Sequence, residues 1–335
     1  MPALFAPRDP RVPRRARRSL PVVAALLVAA LGLSACSIGS TSTAQPGSLA
    51  QNASLKGATF TVGSKEFTEQ LILCNITIEA LESAGATVHQ QCGLNGSTTV
   101  RTALTSGSID MYWEYAGTAW IGYLQHTKPI AGAAAQYQAV AQQDLTQNHI
   151  VWLDPAPYNS TYAIVVKSSV AQQLGVKTLS DYAKLVAANP SQASMCAATE
   201  FEGRDDGLPG LESTYGFKLA SGSLATIAEG AIYNAVAKGN PCNFGEGDTT
   251  DGRIKGLGLI ALTDDKQFFP IYNPALTVRQ SVANANPNLA KVINPIAQAL
   301  DLATIQQLNA DVDINGQQAA DVARTWLQSK GFIGK

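Results

Sequence analysis

The chain has 335 residues, 46% hydrophobic and 15% charged, which is enough to bury one large core or two lobes. Its 24 basic and 25 acidic side chains leave a formal net charge of −1, so there is no electrostatic basis for binding nucleic acid. Past the N-terminal region no run of about 18 apolar residues occurs, which excludes a polytopic helical membrane protein.

The first 36 residues read as an export signal. Arg11, Arg14, Arg15, Arg17 and Arg18 precede an apolar run over residues 20–33, too short to span a bilayer comfortably and built like a secretory signal. It closes on Leu33-Ser34-Ala35-Cys36, which resembles a bacterial lipobox. Residues 1–36 are then signal peptide and lipobox, with Cys36 the lipidated residue that anchors the chain at the extracytoplasmic face of the cell membrane. Arg17-Arg18 alone do not decide between the Sec and twin-arginine routes. Residues 37–55, rich in Ser, Thr, Gly, Ala and Gln, read as a flexible tether.

Ala58, Phe60 and Val62 alternate as a strand, and residues 63–67 turn into a helix near Thr68. Leu71, Cys74, Ile78 and Leu81 follow at helical spacing as a buried stripe, closed by Gly85 as a left-handed cap. The turn Gly63-Ser64-Lys65 lacks the GxxxxGK[ST] order of a phosphate loop, yet it feeds a helix N-terminus and carries a cation. A second strand begins at Thr87, and a helix covers residues 98–106.

Residues 107–120, GSIDMYWEYAGTAW, crowd Tyr112, Trp113, Tyr115 and Trp120 into a chain that is only 7% aromatic. Asp110-Met111-Tyr112 reads as a buried strand ending near Glu114, Tyr115 and Gly117. Ligands sit at such strand ends in open α/β sheets. Glu114 and Thr118, interleaved with the rings, make this a pocket wall more than plain core.

Beyond it the pattern predicts a helix over 131–148, strands at 150–153 and 161–167, and helical or linking material over 170–188. A strand at 195–198 leads into a polar loop over 200–207, then a helix over 208–215. A helix at 232–238, strands at 243–245 and 259–262, and a returning crossover at 268–274 follow; residues 278–335 read as mainly helical. Strands alternating with helices predict a parallel-rich α/β architecture. Two crossovers divide it into one lobe from both chain ends and one from the middle, with a hinged cleft between them.

Six stretches occur in order: GSKEFTEQ (63–70), DMYWEYAGT (110–118), NSTYAIVV (159–166), EFEGRDDGLPGL (200–211), TTDGRI (249–254) and DDKQFFPIY (264–272). Together they resemble the substrate-binding proteins of osmoprotectant ABC importers, the glycine betaine/choline/carnitine-binding family, from about Lys56 to the C-terminus. The resemblance implies a type II periplasmic-binding-protein fold, with one lobe from residues 56–158 and 270–335 and the other from 159–269. It implies a quaternary-ammonium solute caged by tyrosines, ABC permease subunits as partners, no cofactor and no metal, and we expect a monomer. Carried over by motif, Tyr115, Tyr162 and Tyr272 match cage positions, and Lys65, Thr118 and Arg204 match the end that holds a carboxylate. The chemistry is consistent: a trimethylammonium group donates no conventional hydrogen bond, and each ring face contributes roughly 0.5 to 2 kcal/mol.

One position departs from the family pattern. Where an aromatic usually stands two residues before Thr-Asp-Gly-Arg, this chain has Asp248. A carboxylate attracts an ammonium but repels a zwitterion's own carboxylate, so choline-like cations, or a quite different small polar solute, gain over glycine betaine.

With Cys36 set aside, Cys74, Cys92, Cys196 and Cys242 allow three pairings in an oxidising compartment. Cys74–Cys92 and Cys196–Cys242 are expected, because either alternative ties the lobes together across the cleft. Two other classes stay open: a sensory lipoprotein that feeds no importer, and, least favoured, a secreted hydrolase. His89, His126 and His149 are the only histidines, none lies in HExxH, and no GxSxG elbow occurs.

Overall fold

The computed structural model describes residues 44–335; the expected signal peptide, Cys36 and the start of the expected tether lie outside the described residues. In chain order its strands are β1 (Thr59–Lys65), β2 (Thr87–Leu94), β3 (Met111–Tyr115), β4 (Ile150–Trp152), β5 (Tyr162–Lys167), β6 (Met195–Ala197), β7 (Leu224–Thr226), β8 (Phe244–Asp248), β9 (Leu259–Ala261) and β10 (Pro274–Arg279). They form two five-stranded sheets, ordered β2-β1-β3-β10-β4 and β7-β6-β8-β5-β9. The chain passes between them twice, through residues 153–161 and 262–273.

Both sheets are mixed. β1 runs parallel to β2 and β3, but β10 is antiparallel to β3 and to β4. In the second sheet β6 is parallel to β7 and β8, while β5 is antiparallel to β8 and β9. The antiparallel members are the strands that directly follow the two passages between lobes.

β10 corrects the sequence reading, which put residues 268–274 in a crossover and those after 278 in helices. Ala275, Leu276 and Val278 are fully buried within the first sheet. A short apolar run buried on both faces shows no alternation, so periodicity does not distinguish it from helix. The polar loop expected at 200–207 begins as a short helix, Thr199–Gly203. The stripe expected on the helix Thr68–Ser83 is also too narrow. Ile72, Leu73 and Ile76 are fully buried, whereas Leu71 and Ile78 are only half-buried. That helix is clamped between the first sheet and the C-terminal helices Leu302–Asp313 and Ala319–Ser329, so several of its faces are covered.

Residues 44–55 are packed, where a flexible tether was expected. Ser48–Asn52 is a helix whose Leu49 is 0% exposed in the core with Leu55 and Ile333. The amides of Ser48 and Leu49 donate to the carbonyls of Gly331 and Phe332, at 3.0 and 3.2 Å. A Cβ at Gly47 would stand 2.6 Å from the backbone of Ile333, so this close approach requires glycine. The tie joins the two ends of the described chain.

The disulfides are Cys74–Cys92 and Cys196–Cys242. Each joins segments that serve a single sheet, so neither crosses between lobes.

Candidate functional site

The C-terminal ends of the parallel strands of both sheets open onto one cleft. β1 delivers Lys65 and Phe67, β3 delivers Tyr115 and Thr118, β6 delivers Glu200 and Phe201, and β8 ends at Asp248. Ser160 and Tyr272 enter from the two connecting passages. This is the crevice in which open α/β sheets bind ligands.

The aromatic wall is assembled from both lobes. Phe67 and Tyr115 stack with centroids 6.1 Å apart and planes at 26°. Tyr162 meets Phe201 edge-on at 5.1 Å and Tyr272 edge-on at 5.5 Å. Each of two phenols is anchored from behind. The Tyr115 hydroxyl donates to Glu69 Oε1 at 2.8 Å and accepts from Gln70 Nε2 at 3.1 Å, and the Tyr272 hydroxyl donates to Asp206 Oδ2 at 2.6 Å. Burial, reinforced by the adjoining carboxylates, pushes both hydroxyls well above the usual tyrosine range, so they stay neutral. Gly117 has a different role from the close backbone–ligand approach its position invites: a Cβ there would lie 2.6 Å from the Tyr272 ring, which packs on its backbone.

Of the seven expected ligand residues, Lys65, Tyr115, Thr118, Tyr162, Asp248 and Tyr272 line the cleft; Arg204 does not. Its guanidinium is bidentate on Asp206, at 2.8 and 2.5 Å, and reaches Glu200 Oε1 at 2.9 Å. It lies over the ring of Tyr162, 5.9 Å from the centroid. Lys65 is committed as well: Nζ sits 2.8 Å from Oε1 of the fully buried Glu114. Glu114 also accepts from the hydroxyls of Tyr112 and Tyr123, at 2.6 and 2.7 Å.

Sequence reasoning missed Phe67, Phe201, Glu229 and Glu246, all of which line the cleft. Phe67 and Phe201 stand inside two of the quoted stretches, and Glu246 is two residues before Asp248, hence on the same strand face. Those signals were available. Glu229 had none, because only the packing of the helix Glu229–Lys238 brings it to the rim. Burial and the neighbouring acids Glu66 and Glu200 raise the Glu229 carboxyl to about 7. Burial and repulsion from Glu229 raise Glu246 and Asp248 well above their ordinary range.

Two α/β lobes, joined by two passages around a buried aromatic and charged cleft, define a type II periplasmic-binding-protein fold, the architecture of a solute-binding protein. Residues 58–329 match the family model described as the substrate binding domain of an ABC-type glycine betaine transport system, and the chain belongs to that family. It is 40% identical over 280 residues to a glycine-betaine-binding protein of Pseudomonas aeruginosa, covering 82% of this chain and 89% of that one. With the glycine betaine-binding protein YehZ of Escherichia coli it shares 36% identity over 276 residues, 81% of this chain and 90% of that one. The crystal structure of a glycine betaine/carnitine/choline ABC transporter protein superposes with a TM-score of 0.66 at 25% identity, covering 82% of this chain and 99% of the other.

Proposed function

We propose that the protein captures a quaternary-ammonium compatible solute, of the glycine betaine, choline or carnitine type, outside the cytoplasm and delivers it to the permease subunits of an ABC importer. The observation that carries this reading is the convergence of Tyr115, Tyr162 and Tyr272, with Phe67 and Phe201, on one cleft between lobes. Three or four ring faces at roughly 0.5 to 2 kcal/mol each supply much of the ~8 kcal/mol of a micromolar complex. Lys65, Thr118 and Asp248 serve as polar contacts, and Arg204 serves by fixing Tyr272 through Asp206 and by lying over the ring of Tyr162.

The lobes close on the solute by rotation about residues 153–161 and 262–273. The closed form docks on the permease and releases the solute on reopening, with no bond made or broken. The protein acts as a monomer, held by lipid on Cys36; among the described residues no helix is long and apolar enough to cross a membrane. A different small polar solute, or a sensory role without an importer, are the competing readings.

Calorimetry with choline, glycine betaine and carnitine tests the ligand class, with Tyr115→Ala as the control for the site. The reading requires micromolar binding of at least one of the three and its weakening by about 1 to 3 kcal/mol in the variant. Absence of binding for all three refutes it. Labelling with radioactive palmitate, lost in Cys36→Ala, tests the anchor.

A further inference from the structure

Taking the cleft as the solute site, we propose that it admits solutes of net positive charge that carry no carboxylate, and that Glu229, Glu246 and Asp248 enforce this selection. The charges around the cleft do not balance. Lys65 is paired with Glu114, Arg204 with Asp206 and Glu200, and Arg253 with Asp251. Among the described residues no Lys or Arg stands within ion-pair distance of Glu229, Glu246 or Asp248. The other acids nearby have their own partners. Glu66 accepts the Gly96 amide at 2.9 Å, Glu200 accepts the Ser97 amide at 3.0 Å, and Glu69 is held by Tyr115 and Tyr158.

The second observation is Glu246 itself. It is 2% exposed, lines the cleft, and its Oε2 has no hydrogen-bond partner. A buried acceptor without a partner carries a desolvation cost that a ligand donor removes. A quaternary nitrogen donates nothing, so the fitting solute pairs its cation with a hydroxyl or N–H that reaches this oxygen. A betaine carboxylate has only lone pairs to offer and would enter the field of three acids.

The arrangement is built into the fold. Gly245 and Gly247 alternate with the acids on β8, and a Cβ on either would run into the helix Glu229–Lys238, at 2.4 Å from Ile232 or 2.9 Å from Tyr233. The close fit holds Glu229, first residue of that helix, at the cleft rim. It also brings the Tyr233 hydroxyl 2.9 Å from the Asp248 amide, whose N–H it accepts. Among the described residues no three acidic, histidine or cysteine groups converge closely enough to hold a metal ion. The three carboxyls surround an organic cation instead of meeting at a point.

Burial and mutual repulsion raise all three carboxyls in the empty cleft, Glu229 to about 7, so this group is partly protonated near neutral pH. A bound cation favours the ionised form, so binding releases protons and tightens as pH rises. One carboxyl titrating near 7 makes choline binding about tenfold weaker at pH 6 than at pH 8.

Calorimetry with choline and with glycine betaine at pH 6 and pH 8 tests this. Expected are choline binding at least about tenfold tighter than glycine betaine at pH 8, the stated loss at pH 6, and a smaller choline-to-betaine ratio in Glu246→Gln and Glu229→Gln. If betaine binds tighter than choline in the wild type and Tyr115→Ala still weakens it, the selection is refuted while the solute-binding reading stands. A pH-independent choline affinity, or an unchanged ratio in both Gln variants, also refutes it. If neither solute binds, the selection is refuted, and the solute-binding reading falls with it only if carnitine also fails to bind.

Discussion

Lys65 Nζ lies 2.8 Å from Glu114 Oε1 and 5.1 Å from the centroid of the Tyr115 ring, so one ammonium both neutralises a buried carboxylate and braces a wall of the cleft. The pair is buried at both ends, which makes Lys65 a structural cation before it is a ligand contact. Lys65→Met strands the Glu114 charge and should lower stability by about 3 to 5 kcal/mol, with the double variant Lys65→Met/Glu114→Gln recovering part of that loss. Urea denaturation measures both. A Lys65→Met protein as stable as the wild type would show that the pair is not charged in the fold.

Tyr115 contributes to affinity and stability through different atoms. Tyr115→Ala removes the ring and should weaken solute binding by about 1 to 3 kcal/mol. Tyr115→Phe keeps the ring, and with it most of the affinity. It strips Glu69 and Gln70 of a buried partner, though, and should lower unfolding free energy by about 1 to 3 kcal/mol. Calorimetry and denaturation on the two variants separate these effects; equal stability of Tyr115→Phe and wild type would contradict the hydroxyl's anchoring role.

Gly117 is the seat of the Tyr272 ring. Gly117→Ala places a methyl where the ring now packs, at 2.6 Å, and Tyr272 must move together with its bond to Asp206. Overpacking of this kind costs typically about 1 to 3 kcal/mol, and the displaced ring should also reduce solute affinity. Tyr272→Ala/Gly117→Ala should show no further loss beyond Tyr272→Ala alone; an additive loss would place the effect of Gly117 elsewhere.

The cleft carboxyls make the empty protein's stability fall with pH. Glu229 titrates at about 7 in the fold against an ordinary 4.5, so across that window the folded state holds a proton the unfolded chain has released. Stability is therefore lost as pH rises from about 4.5 to 7, and Glu246 and Asp248 act in the same direction. Glu200, held below its ordinary value after its burial is offset by Lys65 and Arg204, acts in the opposite direction but at lower pH, outside this window. The melting temperature should drop between pH 5 and pH 7.5, less so in Glu229→Gln. A rise over that range in the wild type, or identical slopes in the two proteins, would contradict the assignment.

Local patterns carried most of the architecture. The alternation at Ala58, Phe60 and Val62, the apolar run at 162–167 and the capping pair Thr178/Asp181 specify their elements through short-range preferences, and the structure has β1, β5 and the helix Leu179–Ala188 there. The ordered stretches hold five of the six expected residues that line the cleft, and Asp248 directly precedes another of them, because these stretches lie at strand ends or in the passages between the lobes. Partnership is another matter. That Lys65 turns to Glu114, 49 residues on, and Gly117 to Tyr272 depends on tertiary packing, and no spacing along the chain encodes those distances, whereas Arg204 pairs with Asp206 only two residues away. β10 and the packed segment 44–55 escaped for the same reason: each takes its structure from residues far away in sequence, β3 and β4 for one and the C-terminal residues 331–334 for the other. Glu229 reaches the cleft only because two glycines on β8 let its helix approach, so the acidity of this site arises where the helix meets the strand.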